Sequence, residues 1–156
     1  PYIRLPETEI FAFKVFKNNR QERQNYRLIR NVKVVYPYAR MAGQKLTEYE
    51  EILLQTETDR ERRQIMKDLE DELHREYGDQ LRNLTFTQGK ILIKLIDRET
   101  GDTSYDLVRE MRGAFRAFFY QTFARIFGLN LKVNYDPHGE DQQIETIIRM
   151  IDQGLI

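Results

Sequence analysis

The chain has 156 residues, with 25 basic and 25 acidic side chains and no cysteine. That length is enough for one hydrophobic core without staples, and the missing cysteines exclude disulfides, thiolate metal sites and a cysteine nucleophile. The even charge excludes a global preference for polyanions, and no apolar run approaches the ~18 residues of a bilayer span or resembles a signal peptide.

One domain is expected over 1–156, starting at Pro1 rather than Met, which suggests a processed product whose leader is missing. Residues 1–20 supply a strand and lead-in, 22–128 a helical body, and 129–156 a short strand, a turn and a last helix. In "IFAFKVF", Phe11, Phe13 and Val15 alternate with Ala12 and Lys14, the two-residue period of a strand. In "LNLKVNY" (129–135), Leu129, Leu131, Val133 and Tyr135 alternate with polar residues, so the two segments are expected to pair as a small two-stranded sheet.

From Glu22 the period changes. Tyr26, Ile29, Val32, Tyr36, Ala39, Leu46, Tyr49 and Leu53 recur every three or four residues, which predicts one long helix. Pro37 inside it removes the hydrogen bond to the Lys33 carbonyl and is expected to bend or split it. Several possible caps at 56–59 precede a second helix with Ile65, Leu69, Leu73 and Tyr77 on a thin stripe, and Gly78 is expected to end it or weaken its last turn. The two should form an antiparallel hairpin.

The stretch "LIKLIDRETGDTSYDLV" (92–108) admits a β-hairpin turning at Thr100-Gly101-Asp102 or a helix-loop-helix. Thr85 and Gln88 in "TFTQ" form a possible capping box, and Leu107, Met111, Phe115, Thr122 and Ile126 keep helical spacing up to Gly128. Such a run exceeds a strand, and Thr103 with Asp106 offers a second cap, so two helices around Gly101 are predicted. A last helix over 142–153 carries Ile144, Ile147, Ile148 and Ile151 inward.

Charge is unevenly placed. Residues 14–45 hold nine cations against Glu22 alone, and 48–79 hold twelve acids against five bases. Complementary arms lying side by side would explain this. A patch of Arg20, Arg23, Arg27, Arg30 and Lys33 is the candidate interaction surface, for a protein partner or self-association first and for nucleic acid second.

A second constellation joins Lys94, Asp97, Arg98 and Glu99 to Arg109, Arg112 and Arg116. Its functional reading is an acid–base pocket at Lys94, Asp97 and Arg112 for an anionic small molecule, and its structural reading is an ion-pair network fixing two helices in register. Structure is the expected role. Asp136, His138 and Glu140 in "YDPHGED" form a weak candidate metal set, though Asp-Pro and His-Gly are ordinary turn chemistry and Asp141 or Glu140 would suit a helix start. The aromatic run "FRAFFYQTFARIF" reads as core rather than ligand pocket. There is no Walker loop, dinucleotide fingerprint, His-Glu-x-x-His or nucleophile elbow, and no cofactor is assigned.

"GKILIKLIDRETGDTSYDLVREMRG", followed by "FARIFGLNLKVNYDP" and preceded by "NVKVVYPYARMA", resembles a family of uncharacterised bacterial proteins from the Bacteroidetes lineage, grouped as a domain of unknown function. The resemblance runs from about Tyr26 to the C-terminus. It implies an exported protein of the periplasm or cell envelope, and it brings no activity, cofactor or catalytic residue. The expectation is therefore a mainly helical domain with a non-catalytic role in protein interaction or scaffolding.

Overall fold

The structure, a computed structural model, describes residues 9–12, 14–101, 106–127 and 134–156, without the side chains of 106–108, 123 and 127. Five helices follow one another: α1 (Asn19–Leu54), α2 (Asp59–Arg82), α3 (Phe86–Thr100), α4 (Asp106–Phe127) and α5 (Gln142–Asp152).

Local chemistry explains the boundaries. The Asn18 side chain accepts the Gln21 N–H at the start of α1. Thr58 with Glu61 opens α2, and Thr85 with Gln88 opens α3, each as a reciprocal capping box that satisfies two otherwise orphaned amides. Helix α5 ends in a Schellman motif: Gly154, at φ 69°, donates to the Ile151 carbonyl and Leu155 donates to that of Met150. Only glycine enters that left-handed conformation cheaply.

Cross-helix contacts give the topology. Tyr38 and Ala42 meet Tyr77 and Leu81, while Lys45 and Tyr49 meet Glu72, so α1 and α2 run antiparallel. Gln88 bonds Asn31, and Glu99 lies against Gly43, so α3 returns parallel to α1. Arg112 reaches the Thr100 carbonyl and Arg116 reaches Asp97, which makes α4 antiparallel to α3. Helix α5 lies along α3 and α1 through Lys94 to Asp141, Arg98 to Glu145 and Tyr36 to Asp152. The result is an up-down-up-down bundle with α5 laid against one flank.

Helix α1 packs most extensively on α3, not on α2. The reason is size: Ala39, Ala42 and Gly43 let the backbones approach, and a Cβ built on Gly43 would stand 3.2 Å from Glu99 Cβ. One continuous core results. Val32, Val35, Ala39 and Leu46 meet Leu92, Ile93, Leu95 and Ile96, all at most 2% exposed. Phe115 and Phe119 complete it from α4 with rings 5.0 Å apart, so these two aromatics of the run are core. Each fully buried aliphatic side chain contributes roughly 1.5–3 kcal/mol.

Three expectations are corrected. Residues 10–12 and 14–16 form no strand, and no strand occurs among the described residues. Ile10 and Val15 are 91% and 90% exposed, and the segment is tied instead to α5 by Glu9 with Arg149. Two strands with no further partner bury too little to hold together; 129–133, the proposed partner, lie outside the described residues. Helix α1 is not split at Pro37, because packing on both sides of the proline outweighs one missing hydrogen bond. Helix α2 likewise runs through Gly78 to Arg82, anchored by Tyr77 and Leu81. Residues 86–100 and 106–127 are helical as predicted, with Gly101 closing α3, while 102–105, including the Thr103 cap, and Gly128 lie outside the described residues.

Candidate functional site

The polar constellation predicted on α3 and α4 is present, but its members do not converge on one point. Lys94 bonds Asp141, Asp97 takes Arg116 at 2.9 Å, and Arg112 pairs with Glu50 at 2.6 Å while donating to the Thr100 carbonyl. Arg98 faces Glu145 at two points and also meets Glu99 at 2.9 Å. Arg109 is exposed.

Five partners lie outside the predicted constellation: Glu50 on α1, Tyr135 and Asp141 in the lead to α5, and Glu145 and Arg149 on α5. The four-residue step from Glu145 to Arg149 was visible as a helical ion pair. Tyr135 was assigned to a strand; its hydroxyl instead donates to Glu145 at 2.6 Å and its amide to Asp97 at 2.8 Å. Both carboxylates thus fasten the 134–141 turn onto the bundle.

Electrostatics follow from this pairing. Burial alone would raise the Glu145 carboxyl, yet the hydrogen bonds from Arg98 and Tyr135 outweigh it and hold the group down to about 2. Burial and the Glu145 carboxylate push the Tyr135 phenol up. The hydrogen bond to Glu145 outweighs burial and holds the Arg98 guanidinium more firmly charged than usual.

Asp141 occupies the N-cap position of α5 but makes no capping bond. At 2% exposure its carboxylate instead accepts Lys94 and the Asp136 amide, so a residue expected at a helix start pins the turn to α3. Asp136 accepts the amides of His138 and Gly139 within the turn. The weak metal set of Asp136, His138 and Glu140 is therefore a turn with an exposed imidazole. Among the described residues no three histidine or carboxylate side chains are grouped to hold an ion.

A groove of about 740 Å³ opens beside this network, lined by Asp97, Arg98, Arg116, Tyr135, His138 and Glu145. Its acids and guanidiniums are already bonded to one another. An acid–base role requires an ionisable group free to exchange a proton with a ligand, and a carboxyl held at about 2 by two donors is a poor base near neutrality.

The predicted interaction surface differs in kind. Arg20, Arg23, Arg27, Arg30 and Lys33 are all exposed, and none forms an ion pair or side-chain hydrogen bond among the described residues. The sequence-level explanation, neutralisation by the acidic arm, applies at one place only: Lys45 meets Glu72 at 2.6 Å, and Tyr49 shares that carboxylate. Helix α2 ends beside Tyr38, so the first turns of α1 project beyond it.

The family comparison bears on the whole chain, since a family described as "Domain of unknown function (DUF4294)" matches residues 1–150. The chain belongs to the DUF4294 family. No curated protein and no solved structure matches it. Membership in DUF4294 assigns no activity, so the reading of this member rests on its own surfaces. No helix among the described residues is long and apolar enough to cross a membrane.

Proposed function

We propose that this DUF4294 domain is a non-catalytic protein-interaction module whose working surface is the projecting basic half of α1. The observation that carries the reading is the row of exposed cations at 20, 23, 27, 30 and 33, which form no ion pair among the described residues. Tyr26, Val34 and Met41 are exposed on the same helix, at 62%, 41% and 43%. Mixed arginine, aromatic and aliphatic surface is what protein interfaces select.

The acid–base alternative at Lys94, Asp97 and Arg112 has less support, because the three belong to three separate ion pairs. A phosphate backbone would also suit the cations, but no nucleic-acid-binding motif accompanies them. A location in the bacterial cell envelope is part of the proposal, supported by the family resemblance alone.

Affinity capture from the cells that make the protein, at low salt, tests the reading. Native chain should retain a reproducible protein partner, and R23E/R27E/R30E, folded to the same helicity, should lose it. Equal capture by both contradicts the reading. Retention of nucleic acid, with log affinity falling steeply against log salt, replaces it with the phosphate alternative.

A further inference from the structure

We propose that the partner of the basic face is a second copy of this chain, engaged through the acidic outer face of α2; this rests on the reading above that the face on α1 is the working surface. Both halves of the contact are present. Residues 20–33 carry five cations and one acid, and 68–79 carry six acids and one base, Arg75. Asp68, Asp71 and Asp79 are exposed, and by helical period fall on one side of α2. The arginines of α1 repeat at steps of three and four, and Asp68, Asp71 and Asp79 share one stripe of α2, which also carries Arg75, so two such helices laid side by side set guanidiniums opposite carboxylates.

The two faces do not satisfy each other within one molecule. Glu72 lies level with Lys45 and Tyr49, some twenty residues from the middle of the basic row. At 1.5 Å per residue that is about 30 Å along the bundle. The Debye length is ~10 Å at 0.1 M salt, so attraction between the centres of the two patches within one chain is largely screened. The same offset suits a pair of copies. A two-fold axis midway between the patches places the basic face of each copy against the acidic face of the other, making two contacts at once. With no net charge on the chain, approach of two copies meets no global repulsion.

Sedimentation velocity on the intact chain tests this, using R23E/R27E/R30E, D68K/D71K/D79K and their equimolar mixture, with helicity confirmed for each. Native chain should sediment as a dimer of the 18.8 kDa chain at ~20 mM salt and as a monomer at ~500 mM, following the shortened screening length. Each variant alone should be monomeric at low salt, and the mixture should recover the dimer. A native chain that stays monomeric at low salt and high concentration overturns the proposal. So does a dimer that neither reversal weakens, or two monomeric variants whose mixture stays monomeric. If the native chain is monomeric yet R23E/R27E/R30E still abolishes capture of another protein, the self-pairing is wrong and the interaction reading stands; if capture is also unchanged, both fall.

Discussion

Arg98 on α3 and Glu145 on α5 meet at two points, Nε to Oε2 at 2.8 Å and a terminal nitrogen to Oε1 at 3.2 Å, with the Tyr135 hydroxyl on the same carboxylate. Glu145 is 8% exposed, so replacing it by glutamine leaves a guanidinium and a phenol with one amide oxygen between them, no counter-charge, and an NH2 where a second acceptor stood. E145Q should cost about 2–3 kcal/mol at pH 7 by urea denaturation. The sign with pH follows from the depressed carboxyl. A group at about 2 when folded against 4.5 when unfolded contributes stability that is complete above pH 4.5 and lost as pH falls towards 2. The gap between native protein and E145Q should therefore close over that range; a gap independent of pH would show that the charge of Glu145 does not hold the turn.

Two other tyrosines make the same kind of contact. Tyr36 bonds Asp152 and Tyr49 bonds Glu72, and burial, reinforced by these carboxylates, pushes both phenols up to about 12. A phenol raised above its unfolded value of 10 contributes stability that is full below pH 10 and lost as pH rises through 12. Y36F and Y49F should each lose about 1 kcal/mol at pH 8 and unfold less steeply in alkali than the native chain. Ultraviolet titration of phenolate should show each variant missing one of the late-titrating tyrosines.

Pro37 is exposed inside an unbroken α1 and leaves the Lys33 carbonyl without its helical donor. P37A restores that donor without filling any buried space. It should stabilise the fold by about 1–3 kcal/mol, read as an upward shift of the melting temperature. No gain would mean that the proline fits a bend which alanine does not reproduce.

Gly43 of α1 lies directly against Glu99 of α3. G43V would press two methyl groups on Glu99 and force the helices apart, at about 1–3 kcal/mol. Leu95, at 0% exposure on the facing helix, should cost about 2–5 kcal/mol as alanine through the cavity it leaves. Both are read by chemical denaturation.

Much of the helical body was legible because the signals were local. The capping boxes at Thr58 and Thr85 and the three- and four-residue stripes each depend on residues within a turn or two of one another. The failed strand at 10–16 shows the limit: alternation of Phe11 with Ala12 describes a surface, but whether a partner strand is alongside is a tertiary fact. Pairing inside the polar constellation was hidden for the same reason. Asp97 is thirty-eight residues from the Tyr135 amide, and Arg98 is forty-seven from Glu145, distances over which spacing carries no information. The excess of cations was legible from counting, whereas the absence of an acidic partner for it among the described residues depends on where α2 ends, beside Tyr38, which is a tertiary fact.

Arginine footprinting with a dicarbonyl reagent, in the cells that make the protein and on dilute purified chain at high salt, tests the central claim most directly. Arg23, Arg27 and Arg30 should be protected in cells and labelled freely in the purified chain, while Arg98 and Arg112, paired within the fold, should label slowly in both. Equal labelling of Arg23, Arg27 and Arg30 in the two settings would contradict the assignment of this face as the surface the domain works through.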